Sequence, residues 1–283
     1  MKLSSWLDWR FAFINSRYHA SLSPTVSNGF KVGGKTKYES FPFLRYDYHK
    51  GNGYENRFLT EVKDPSFTGD ISPRLGHRFF LRASYNENKF LDGFSTNSGF
   101  LAEKFKQYNF WNLMFKGSYH LPGLFKKDGL SVNVYTEGNL SEADDFYDVY
   151  AGGWVGLKGY PYFSMHGRHL VHGSMYYTSV LGSDLMLNSG FAHIKNIAVS
   201  SFVETGDAWT SGSINLKSDV GFQIKADTYG PLKLMFEGAY PLDVHYGKQR
   251  SSEEGKQFIP VKYPKEWRFY FMLSYDFGLQ DIL

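Results

Sequence analysis

Trp267-Arg268-Phe269-Tyr270-Phe271-Met272-Leu273-Ser274-Tyr275-Asp276-Phe277 decides the fold. Trp267, Phe269, Phe271, Leu273, Tyr275 and Phe277 share one parity, and Arg268, Tyr270, Met272, Ser274 and Asp276 share the other. Successive side chains of a strand point to opposite faces, so this segment reads as a ribbon with one greasy face and one largely polar face. The same period recurs upstream. Over 230–242, Leu232, Leu234, Phe236, Gly238 and Tyr240 alternate with Lys233, Met235, Glu237 and Ala239. Over 218–227, Val220, Phe222, Ile224 and Ala226 alternate with Asp219, Gly221, Gln223, Lys225 and Asp227. Over 107–121, Trp111, Leu113, Phe115, Tyr119 and Leu121 oppose Asn112, Lys116, Ser118 and His120; over 77–86, Phe79, Leu81, Ala83 and Tyr85 oppose Arg78, Phe80, Arg82 and Ser84. Segments 129–138, 168–181 and 194–206 follow the rule less strictly, and 6–15, 38–48, 54–64 and 27–33 are weaker, which makes about a dozen strands.

Each clear segment is about ten residues long, enough to cross hydrocarbon at the tilt of a barrel strand. A slip of one residue would carry Lys or Asp onto the apolar face, so the register is strongly specified. The pattern predicts an all-β fold, a transmembrane antiparallel up-and-down β-barrel, with residues 1–283 as one domain. Composition agrees. Aromatic residues are 19% of the chain, with 26 Phe and 21 Tyr, a load suited to a lipid-facing surface with interfacial girdles. Mean hydropathy is −0.39 and no run of about 18 apolar residues occurs, which excludes a helical membrane protein but not a barrel, half of whose residues face water.

The connections are of two kinds. Ala226-Asp227-Thr228-Tyr229-Gly230-Pro231 is a short turn, whereas 66–76, 89–105, 140–167 and 243–264 read as long, polar, Gly-rich loops. Short turns at one end and long loops at the other are the habit of outer-membrane barrels. Residues 1–10 carry Asp8 and Arg10 where a secretory signal needs an apolar segment, and Trp9, Phe11 and Phe13 already read as a strand. The expectation is therefore the C-terminal part of a longer chain.

Signatures of chemistry are missing. No H-E-x-x-H, P-loop or G-x-S-x-G occurs, and Gly152, Gly153, Gly156 and Gly159 lack the G-K-[ST] ending of a phosphate cradle. They read instead as a tightly packed loop needing positive φ. Cys is 0, which removes disulfides and thiolate chemistry. His166, His169 and His172 cluster at a spacing that does not converge on a metal, and suit a wet lumen or rim. A net charge of +3 with no Lys/Arg block does not point to nucleic acid. No enzyme activity, cofactor or metal is expected. The informative pair is Lys158, at the tip of the 140–167 loop, and Glu204, which alternation with Ile197, Val199, Ser201 and Val203 turns away from the greasy face. An infolded loop would bring the two together.

At these residues the chain resembles the bacterial surface antigen family, the C-terminal barrel of outer-membrane assembly factors of the BamA and TamA type and of two-partner secretion transporters. That family has a G-G-x-x-x-(V/L)-R-G-(F/Y) loop folded into its barrel, followed by an F-x-D-x-G strand whose inward acid meets the loop arginine. Gly152-Gly153, Leu157-Lys158-Gly159-Tyr160-Pro161 and Phe202-Val203-Glu204-Thr205-Gly206 stand at the matching places. Lys replaces the family's Arg and Glu its Asp, so the charges compensate while the bidentate fork is lost. Tyr176 stands where the following strand of the family usually carries an acid. The resemblance covers roughly 105–277, including about five strands after the loop. It implies a sixteen-stranded barrel, a loop lock of Lys158 with Glu204, Gly159, Tyr160, Gly152, Gly153 and Gly206, and a terminal seam strand carrying Trp267, Phe269, Phe271 and Phe277. It also implies residence in the outer membrane of a Gram-negative-type bacterium or a derived organelle. The implied partners are the lipid bilayer and either unfolded outer-membrane proteins awaiting insertion or secreted polypeptides in transit. A passive channel and a membrane anchor for an N-terminal soluble module are the alternatives.

Overall fold

The structure, a computed structural model, describes residues 4–22, 30–32, 35–37, 44–63, 75–97, 100–125, 127–182, 187–188, 193–228, 232–250 and 258–275. Ten strands form one antiparallel sheet in which each pairs with its neighbours in chain order. They are β1 (Ser4–Leu22), β2 (Leu44–Lys63), β3 (Gly76–Asn97), β4 (Phe100–Pro122), β5 (Asp128–Asn139), β6 (His169–Gly182), β7 (His193–Trp209), β8 (Lys217–Thr228), β9 (Leu232–Pro241) and β10 (Arg268–Tyr275). The two-residue strand Leu187–Asn188 pairs with β7, and three small hairpins lie off the main path. An up-and-down order of this kind follows from the rule that consecutive strands pair with their chain neighbours, whether the connection is a short turn or as long as 140–168.

Three expectations need correction. The 89–105 stretch is not a loop: β3 and β4 stay paired as far as Asn97 and Phe100. Residues 44–48 and 54–63 of two separately expected segments belong to one strand, β2, running through Gly51-Asn52-Gly53, while 38–43 lie outside the described residues. The 243–264 stretch contains a hairpin of His245–Arg250 with Phe258–Tyr263. The physical reason is common to all three. Greasy-polar alternation marks a strand only where one face is apolar, whereas the backbone ladder forms without it, and none of these three stretches carries the alternation clearly. The 27–33 segment contributes Phe30–Val32, paired with Lys35–Lys37. Most of the 66–76 connection and Phe277 lie outside the described residues.

The two faces are solvated in the reverse of the soluble order. Trp9 is 71% exposed, Phe269 59% and Phe271 70%; exposed rings recur on the outward parity of β1, β2, β4, β9 and β10, with Leu81, Val132, Val134, Met175 and Ile224 exposed on strands between them. On the opposite parity Glu204, Asp219 and Glu237, on the adjacent strands β7, β8 and β9, are at most 1% exposed. The sheet curves around this polar face. His120 of β4 and Met235 of β9 line one cavity of about 430 Å³; a sphere of that volume is roughly 9 Å across, whereas a flat sheet would hold these strands about 24 Å apart. The 140–168 connection between β5 and β6 lies against the same face. It carries the short 3-10 turns Asp145–Tyr147 and Gly153–Val155 and the hairpin Val149–Ala151 with Met165–Gly167.

On the polar face the Phe202 ring lies over Gly221, where an added Cβ would come within 2.4 Å of it and 2.2 Å of the Gly238 carbonyl oxygen. At Gly173 the nearest atoms to such a Cβ are 3.8 Å away. Gly221→Ala should therefore destabilise the fold by about 1–3 kcal/mol through overpacking, while Gly173→Ala is tolerated; thermal unfolding of the two variants checks this.

Candidate functional site

The tip of the 140–168 loop meets the polar face at Lys158-Gly159-Tyr160. All four backbone groups of Lys158 and Gly159 find side-chain partners on the sheet. The Lys158 N–H donates to Glu204 Oε2 at 3.0 Å and the Gly159 N–H to Asp219 Oδ2 at 2.6 Å. The Lys158 carbonyl accepts from Tyr270 Oη at 2.7 Å and the Gly159 carbonyl from Arg268 Nε at 3.1 Å. An unpaired buried backbone group costs about as much as a lost hydrogen bond, so this complete set fixes where the tip can sit. Gly159 is required by close approach, since a Cβ there would stand 2.7 Å from the Pro241 nitrogen and 2.8 Å from Asp219 Cβ.

The Lys158 ammonium lies 2.6 Å from Glu204 Oε1 and 2.5 Å from Tyr176 Oη, while Tyr176 donates to the same Glu204 oxygen at 2.8 Å. Glu237 Oε1 is 3.9 Å from the ammonium, and the rings of Tyr176 and Phe202 lie 5.2 and 4.9 Å from it. Burial alone would push the Lys158 ammonium to lower pKa, but Glu204, Tyr176 and Glu237 outweigh it and hold the group above the usual lysine value. Lys158 thus stays charged. His172 Nε2 approaches Glu204 Oε2 to 3.8 Å from the far side.

The loop reaches this position by a tight local fold. Gly152 takes φ 103°, and a Cβ there would lie 2.3 Å from the Pro161 carbonyl oxygen. The Gly152 N–H donates to the Gly156 carbonyl at 2.8 Å and the Gly153 N–H to that of Tyr160 at 2.9 Å. Leu157 and Tyr160 are buried with Val149, Ala151 and Met165 against Leu170 and Ala208 of the sheet. Tyr160 Oη donates to the Ser218 carbonyl at 3.0 Å, and burial pushes its phenol up to about 12. Gly206 faces β6, where a Cβ would meet the Val171 carbonyl oxygen at 2.5 Å. The structure therefore brings Lys158, Gly159, Tyr160, Gly152, Gly153, Glu204 and Gly206 into one neighbourhood. Trp267, Phe269 and Phe271 lie elsewhere, on the outward face of and just before β10.

Sequence reasoning passed over Asp219, Glu237, Arg268 and Tyr270 as partners of the loop. Their parity was legible, because each shares the inward face of its strand with Lys225, Met235 or Met272. Their convergence on one tip depends on the curvature of the sheet. His166, His169 and His172 do not act together: His166 stacks near Tyr150, His169 near Trp209, and His172 faces Glu204. Among the described residues no group of three His, Asp or Glu side chains is placed to hold a metal ion. No protein-family model matches the chain, and no curated protein matches it.

Removing one partner of a buried, hydrogen-bonded ion pair costs about 3–5 kcal/mol because the other charge is stranded. Lys158→Ala and Glu204→Ala should each lower stability on that scale, and the double variant should be no worse than the poorer single one. Additive losses in a double-mutant cycle on thermal stability would show that the groups act independently. Tyr176→Phe, which removes one hydroxyl from the triangle, should cost about 1 kcal/mol in the same measurement.

Proposed function

We propose that the chain is an outer-membrane β-barrel of the surface antigen type, with its strands closing around the 140–168 loop and its ringed face immersed in lipid. The carrying observation is the inverted solvation of the sheet: Trp9, Phe269 and Phe271 lie open while Glu204, Asp219 and Glu237 are covered. In water such a surface would far exceed the few hundred Å² of contiguous apolar patch that a soluble monomer exposes. In hydrocarbon it is the required surface, and an enclosed polar interior is the required core.

The function this supports is handling of unfolded polypeptides, either inserting other barrel proteins or passing chains across the membrane. Among the described residues β1 and β10 each have one partner in the sheet, and β10 is only 8 residues long. A strand edge with unpaired N–H and C=O groups is a template for an incoming strand. The loop held at Lys158 would keep the lumen closed while the edge works. A passive channel is the second reading, favoured by two polar cavities on the inner face, of about 430 and 440 Å³.

Refolded into detergent micelles or phospholipid vesicles, the chain should migrate in electrophoresis as a compact species that shifts on boiling. A folded monomer in detergent-free buffer would overturn the barrel. Vesicles carrying the chain should speed insertion of a second, unfolded outer-membrane barrel. Swelling of such vesicles in sugar solutions, without that acceleration, would favour the channel.

A further inference from the structure

Among the described residues, two cavities on the polar face follow one another along the same strands. The first is lined by His120 of β4 and by Ser131 and Asn133 of β5; the second is lined by Phe110 and Asn112 of β4 and by Tyr135 and Glu137 of β5. On β5 the change from one to the other falls between Asn133 and Tyr135, about 7 Å of strand. Neither cavity is enclosed, and each has room for on the order of ten waters.

What separates them is the buried core of the loop together with two side chains of the sheet. Tyr135 packs against the buried cluster of Val149, Ala151, Leu157, Tyr160 and Met165 that forms the core of the loop. Its ring lies beneath Lys116 Nζ at 5.0 Å, and its hydroxyl donates to Glu137, which belongs to the second cavity. Directly across the β5–β6 ladder from Tyr135 is His172, whose ring would lie 3.2 Å from a Cβ on Gly156 of the loop. The loop core, Tyr135 and His172 thus make one partition across the polar face. The loop side of this partition is tied down through the Lys158 tip, whereas Tyr135 is a single side chain at its margin, half-buried and bordered by polar space.

We propose that the barrel holds two water-filled vestibules in series, joined by a route for small hydrated ions, and that the Tyr135 ring is the side chain that closes it. Hydrophobic constrictions stop ions by breaking the water column, and a phenol ring at the edge of an apolar plug does this while its hydroxyl stays bonded on one side. The second vestibule is lined by Glu55, Glu137 and Asp148 with Arg82, while Arg57 pairs with Glu55 and Lys116 stands over the Tyr135 ring, so charges of both signs line the route. The inference rests on the barrel reading. It adds a conducting path that the loop lock at Lys158 does not by itself require.

The test is steady current across a planar phospholipid bilayer in KCl, with the full chain as wild type, Tyr135→Phe, Tyr135→Ala and Tyr135→Cys. Membrane integration of each is established separately by its heat-shifted migration and its resistance to carbonate extraction from vesicles. Wild type and Tyr135→Phe should pass little current. Tyr135→Ala and Tyr135→Cys should pass a several-fold larger current. The chain has no native Cys, so a bulky methanethiosulfonate reagent modifies position 135 alone and should reclose the Tyr135→Cys path. Integrated Tyr135→Ala and Tyr135→Cys proteins that stay as silent as wild type overturn the proposal. So does Tyr135→Phe conducting as much as Tyr135→Ala, which would assign closure to the hydroxyl rather than the ring. Failure of the wild type itself to integrate would overturn the barrel instead.

Discussion

One buried lysine holds the polar half of this structure together. Lys158 is surrounded by Glu204, Glu237 and Tyr176, and the backbone on either side of it is bonded to Glu204, Asp219, Tyr270 and Arg268. Charges taken out of water are tolerated only where the opposite charge and enough hydrogen bonds replace it. The dependence is mutual. Without the loop, Glu204 and Asp219 would face each other as register partners on adjacent strands, with Glu237 one strand beyond. Without the carboxylates, an ammonium and two backbone N–H groups would be stranded. Neither the loop nor this wall of the sheet has its observed form alone.

The outward face obeys a different constraint, which is filling space beside glycine. A Cβ on Gly238 would come within 3.0 Å of the rings of both Phe222 and Phe269, and one on Gly117 would come close to Phe115 and Phe79. These rings lean over bare backbone and cover the peptide groups that the missing side chains leave open. Phe236 and Phe269 stack at 5.9 Å, and Trp267 stacks on Phe269 at 6.0 Å, so the rings form a continuous layer near the last strand. The same abundance of rings that made the sequence unusual for a soluble core thus has a geometric use.

Strand length divides the sheet. β1 to β4 run 19, 20, 22 and 23 residues, whereas β5 to β10 run between 8 and 17. About ten residues suffice to cross hydrocarbon, so the first four strands extend well past that length. In their outer reaches Asn86, Glu87, Asn88 and Lys89 bring polar side chains to both faces. Asn88 there accepts from Tyr147 Oη of the loop at 2.9 Å, and Phe90 packs on Phe146 and Tyr147. The long hairpins therefore brace the start of the loop, as β7 to β10 brace its tip.

The residues alone determined the strand character, the phase of each clear strand and the inward turn of Glu204, because a period of two assigns every side chain to a face once one face is apolar. They also marked 151–161 as a tight loop, since glycines at that density leave few other uses. Strand ends such as those of β2, β3 and β4 were not legible, because a ladder without an apolar face is held by backbone groups that every residue carries. Nor were Asp219, Glu237, Arg268 and Tyr270 identifiable as partners of Lys158. Parity says which way a side chain points, but only the curvature of the sheet says what it points at. That curvature, and the placing of Tyr135 between two cavities, comes from packing among strands far apart in the chain, and no local pattern encodes it.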